Sequence, residues 1–122
     1  MSRDEGILQI IEAICAQDAR YHADAYVFVL HALTYTMEKL GRRGHVRGQE
    51  LLEGIRAYAL EQYGRMARAV FAHWGIASTA DFGAIVFKLI DANLLGKTEE
   101  DSLDDFKNGY DFKKAFEDDF AY

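Results

Sequence analysis

The chain has 122 residues, a formal net charge of −6, one cysteine and no proline, and half of its residues are hydrophobic. A chain of this size fits one domain with a real core, and its composition argues against disorder. The apolar runs are too short to cross a bilayer, and a single cysteine excludes an internal disulfide.

The charge is uneven. Residues 1–96 hold 11 acids and 10 bases, whereas residues 97–122 hold 9 acids and 4 bases. The expected organisation is therefore one domain over 1–122, with a nearly neutral helical body, 1–96, and an acidic, aromatic C-terminal segment, 97–122. An overall acidic chain is a poor binder of nucleic acid, where phosphate contact needs clustered Lys and Arg. The opening MSRDEG has no apolar signal core, so the cytoplasm is the expected location.

Asp4–Ala16 reads as the first helix, with Ile7, Ile10, Ile11 and Ile14 as its buried stripe. A connection, AQDARYHAD, leads to a longer helix over Ala23–Leu40. There Tyr26, Leu30, Leu33, Met37 and Leu40 form an amphipathic stripe, and Gly41 supplies a stop. The loop GRRGHVRG follows. Gln49–Tyr63 is the next helix, with Leu51, Leu52, Ile55, Tyr58, Ala59 and Leu60 on its apolar side, and Gly54 marks a close helix crossing.

Arg65–Trp74 reads as a short helix with Met66, Ala69, Val70 and Trp74 inward, and GIAST as a tight turn. Thr79–Leu95 is the most apolar stretch of the chain. A helix apolar around most of its girth is covered by its neighbours, so this one is the expected central strut. It starts at an N-cap at Ser78 or Thr79 and ends before Gly96. Beyond it, Asn108-Gly109 is a tight-turn signal. It allows a small β-hairpin with arms at Asp105–Lys107 and Tyr110–Phe112, or helical turns broken at that point. KKAFEDDF reads as a final helical turn or an arm packed by its aromatics. The fold class is mainly α, with about five helices.

Few residues carry a chemical signal. His22 and His31, the nearest histidine pair, are nine residues apart, off the i, i+4 spacing of a metal-binding helix. Cys15 sits in an apolar helix and reads as a small buried hydrophobe. The acids Glu99, Glu100, Asp101, Asp104 and Asp105 lack the order of a calcium loop. The chain shows neither a phosphate-binding glycine loop nor a nucleophile elbow. No catalytic residue, metal ligand or cofactor is expected. Tyr21, His22 and Asp24 are the one group that could form an unusual catalytic site, and a helix-start hydrogen bond is the plainer reading of His22 with Asp24. Arg42, Arg43, His45 and Arg47, with Lys39 beside them, form the basic cluster. These residues could contact an anion or a partner, or pair with the acidic segment of the same chain.

From Gln49 onward the order helix, short helix, GIAST turn, helix and hairpin signal resembles a winged helix. The resemblance implies Thr79–Leu95 as the recognition helix. That helix offers only Lys88, beside Asp81 and Asp91, and a reading helix needs polar and basic side chains. The phrases RYHADAYVFVLHALTYTMEKLG, GQELLEGIRAYALEQYG and HWGIASTADFGAIVFKLIDANLLGKTEEDSLDDFKNGYDFKKAF, in that order, resemble a family of small bacterial proteins without an assigned function. That resemblance implies a stand-alone single domain and supplies no activity or catalytic residue. The expectation is a non-enzymatic interaction or scaffolding module acting on a protein partner or on a second copy. The alternative is a winged-helix nucleic-acid binder working through loop 42–47.

Overall fold

The computed structural model of the protein describes residues 3–41, 46–95, 106–107 and 109–118. Five α-helices follow in order: α1 (Arg3–Gln17), α2 (Ala23–Leu40), α3 (Gly48–Tyr63), α4 (Ala67–His73) and α5 (Thr79–Asp91). A 3-10 turn, Gly64–Met66, joins α3 to α4, and a π-turn, Lys114–Asp118, closes the described chain. No strand occurs among the described residues.

Local chemistry sets the ends of these helices. At the start of α2 the His22 Nδ1 accepts from the Asp24 backbone N–H at 3.0 Å, an N-cap contact. Gly41, at φ 69°, closes the same helix in the left-handed region that glycine enters without strain. Arg47 caps α3, and its backbone N–H donates to Glu50 Oε1 at 2.9 Å. α5 stops at Asp91 rather than Leu95. Asn93 takes φ 63°, and the Asn93 and Leu94 N–H groups bond back to the carbonyls of Ile90 and Leu89, both at 2.9 Å. This is the paired closure of a Schellman motif with asparagine in place of glycine.

α2 and α3 pack closely at Gly54. A Cβ there would lie 1.7 Å from Thr36 Oγ1, so only glycine fits the crossing without movement of Thr36. Against this pair lies α5, which buries Thr79, Asp81, Phe82, Gly83, Ile85, Val86 and Leu89. It is the strut its composition implies. Inside the core, Phe71 meets Phe28, Trp74, Phe82, Phe112 and Phe116, with ring centroids 5.2–6.0 Å apart.

The C-terminal segment departs from the hairpin. Phe106 is buried in a helical turn, and Tyr110 and Asp111 are irregular before the chain coils again. Asp105 and Asn108 lie outside the described residues. The partners a hairpin would use are taken by a side chain instead. Thr79 Oγ1 donates to the Phe106 carbonyl at 2.5 Å and accepts from the Gly109 N–H at 3.0 Å. No wing hairpin occurs among the described residues and the expected recognition helix lies in the core, so the winged-helix resemblance finds no support.

The segment's described aromatics belong to the core. Phe106, Phe112 and Phe116 are buried, and the Tyr110 hydroxyl donates to the Leu52 carbonyl at 2.8 Å. Four residues expected inside are not, Ala69 on α4 among them. Met66 is 63% exposed, Leu40 42% and Ile10 37%. Met66 sits in the 3-10 turn rather than on a helix face. Leu40 is the last residue of α2, and Ile10 lies on the flank of a helix packed mainly against α2.

Candidate functional site

The densest polar group lies where the α1–α2 connection meets the start of α5. Asp81, third residue of α5, is its centre. Its Oδ2 accepts from the backbone N–H groups of Ala77 and Ser78 at 2.8 and 3.1 Å, tying down the turn before the helix. Its Oδ1 accepts from the Tyr21 hydroxyl at 2.5 Å and from the Arg20 guanidinium at 3.3 Å. A carboxylate in the first turn also suits the positive end of the helix dipole.

Burial pushes the Tyr21 phenol well above its ordinary range, and the Asp81 carboxylate pushes it further. The phenol therefore stays protonated and donates. Arg20 also stacks its guanidinium 5.1 Å from the Tyr21 ring centre. Nearby, the His22 backbone N–H donates to the Trp74 carbonyl at 3.1 Å. Gly75, at φ 90°, leaves room for the Arg20 carbonyl, which a Cβ would approach to 2.6 Å.

A second link joins the same elements. Lys88 Nζ lies 2.8 Å from Asp18 Oδ2. The hydrogen bond from Lys88, then that from the Arg20 backbone, holds the Asp18 carboxyl below its usual range. An acid with a lowered pKa stabilises the fold above its unfolded-state pKa, and the contribution fades as pH falls through the folded value. We therefore expect Asp18, followed by its carboxyl carbon in an NMR titration, to titrate below an ordinary aspartate. In Lys88→Met the midpoint should rise. An unchanged midpoint in that variant would show that the contact does not hold in solution.

The carboxylate at the centre of this joint is spent on the fold. The four donors on Asp81 fill its two oxygens. His22 caps a helix, so the helix-start reading of His22 and Asp24 is the observed one. Its ring lies 5.8 Å from that of His73, yet among the described residues no group of three or more His, Cys, Asp and Glu is placed to hold a metal ion. Tyr21 faces Asp81 rather than His22. Cys15 is half-buried, and burial, Asp18 and Glu12 push its thiol up, which opposes thiolate chemistry. The buried Tyr26 hydroxyl, pushed up to about 12 chiefly by burial, has no partner among the described residues.

Of the basic cluster, Arg42, Arg43 and His45 lie outside the described residues. Arg47 is exposed at the α3 cap, and Lys88 is committed to Asp18. Two open grooves lie near this joint, one at the start of α5 and one between α4 and the turn that follows it. One, of about 480 Å³, is lined by Ser78, Thr79, Ala80, Lys107, Tyr110 and Asp111. The other, of about 370 Å³, is lined by Arg68, Ala72, Gly75, Ile76, Ala77 and Phe112. The Thr79 hydroxyl on the first is already bonded on both sides.

What remains is a surface. α1 fixes only Ile11 fully in the core, holds Ile7 and Ile14 half-buried, and leaves Leu8 47% and Ile10 37% exposed. Periodicity marks the stripe; it does not reveal which members the neighbours fail to cover. No helix of the described residues is long and apolar enough to cross a membrane. Comparison with protein-family models, curated proteins and solved structures returns no match.

Proposed function

We propose that the protein is a non-enzymatic interaction module that docks a protein surface through α1. One observation carries this reading: α1 holds a broad apolar stripe of which the fold buries only the centre, leaving Leu8 and Ile10 in solvent. Single exposed apolar residues are ordinary; Leu8 and Ile10 stand two positions apart and so flank the buried centre of this stripe on its two sides. Among the described residues the C-terminal aromatics Phe106, Phe112 and Phe116, the other candidates for docking, are used by the core.

Hydroxyl-radical footprinting tests it inside the cells that express the protein. Leu8 and Ile10 should be protected there relative to dilute purified chain, with Met66, 63% exposed, as the unprotected reference. Equal labelling of Leu8 and Ile10 in the two settings would defeat the proposal.

A further inference from the structure

Apart from the α1 surface, we infer that His22 and His73 form a two-imidazole site for a divalent transition ion, Cu²⁺ above all. The two residues stand far apart in the sequence, yet their ring centres lie 5.8 Å apart, with the ring planes inclined by 36°. An ion about 2.0–2.1 Å from one nitrogen of each ring holds the two ring centres roughly 5–6.5 Å apart. The observed spacing meets what one shared ion requires. The fold also holds the pair in place. The His22 backbone N–H donates to the Trp74 carbonyl at 3.1 Å, tying the α1–α2 connection to the residue next to His73. Trp74 is buried, while both histidines reach the surface, the His22 side chain 48% exposed. The chelate is therefore assembled before the ion arrives, which lowers the cost of binding.

The donors select the ion. Imidazole nitrogen suits Cu²⁺, Ni²⁺ and Zn²⁺, and affinity at a given nitrogen site peaks at Cu²⁺. Ca²⁺ and Mg²⁺ take oxygen ligands instead. The Asp24 backbone N–H occupies His22 Nδ1 at 3.0 Å, which leaves Nε2 for the ion. Asp24 Oδ2 lies 3.5 Å from the same Nδ1. Ligation at Nε2 puts the ring proton on Nδ1, and this carboxylate then becomes its acceptor, the outer partner that ligating histidines commonly have. Among the described residues no third His, Cys, Asp or Glu joins the pair as a ligand. Water fills the remaining positions, so the ion exchanges readily.

The test is a Cu²⁺ titration of the full chain in a Cys15→Ser background, which removes the thiol that the ion would oxidise. Calorimetry should show one tight site, and its electron paramagnetic resonance spectrum should carry nitrogen couplings from two imidazoles. His22→Asn removes the imidazole and keeps a side chain that caps helices well, and His73→Gln changes an exposed position. Each should raise the dissociation constant at least tenfold with unchanged circular dichroism. The double variant should bind about as weakly as either single one, because isolated histidines are all that any of the three retains. His31→Gln should bind like the parent. A parent chain that binds Cu²⁺ no more tightly than the double variant would overturn the inference, as would a single imidazole nitrogen in the tight site, or an equal loss in His31→Gln. None of these results bears on the footprinting of Leu8 and Ile10, so the two readings stand or fall separately.

Discussion

A chain ending at Gly96 will not unfold cooperatively. The cut removes Phe106, Phe112, Ala115 and Phe116, which are between 0 and 6% exposed. Burying a phenylalanine is worth roughly 1.5–3 kcal/mol, so the three rings alone account for about 5–9 kcal/mol. The whole stability of a domain is only about 5–15 kcal/mol. The loss also strips the faces of Phe71 and Phe82 that Phe112 and Phe116 cover, at ring distances of 5.3–5.8 Å. Thr79, Gly83 and Leu52 lose their neighbours in Phe106 and Gly109 as well. The expected thermal trace, followed by near-ultraviolet circular dichroism, is broad and weak. A truncated chain melting cooperatively within about 10 °C of the full one would show that these aromatics are not core residues. It would also return them to candidacy as docking residues.

The reach of sequence reasoning here follows from how local each signal is. α2 and α3 were legible because their apolar stripes and the closing Gly41 act within a few residues. The Gly54 crossing was legible too, since glycine in a helix interior costs about 1 kcal/mol relative to alanine and marks a site where another residue does not fit. The end of α5 carried a local signal in Asn93, an asparagine that enters the left-handed region, but Gly96 is the stronger glycine cue. The hairpin failed for a different reason. Asn108-Gly109 favours a turn, but the partners of Phe106 and Gly109 are decided by Thr79, 27 and 30 residues away. The site shows the same limit. Asp81 could be read as a first-turn acid, whereas its bond to Tyr21 spans 60 residues and leaves no periodic trace. The exposure of Ile10 is likewise a property of what α1 fails to meet.

Asp81→Ala should cost about 2–4 kcal/mol, measured by urea denaturation. The sum has two parts. Without the carboxylate the Tyr21 hydroxyl stays in a residue only 1% exposed, and an orphaned buried donor costs about 1–3 kcal/mol. The backbone N–H groups of Ala77 and Ser78 lose their acceptor, and a lost helix-start contact costs about 1 kcal/mol. Arg20 adds little, because its side chain is 62% exposed and solvent screens such pairs. Tyr21→Phe removes the donor and leaves Asp81 its other partners, so it should cost only about 1 kcal/mol. Combining the two should cost less than their sum, because the phenylalanine no longer strands a hydroxyl beside the missing carboxylate. The opposite result, an Asp81→Ala chain within about 1 kcal/mol of the parent, would mean that the joint does not hold α5 to the α1–α2 connection. Strict additivity would mean that Tyr21 and Asp81 do not share the bond. A large and coupled loss would place the joint where its geometry puts it: Asp81 acts as the clasp of the fold, and its lone pairs are filled by the protein's own donors rather than held ready for a substrate.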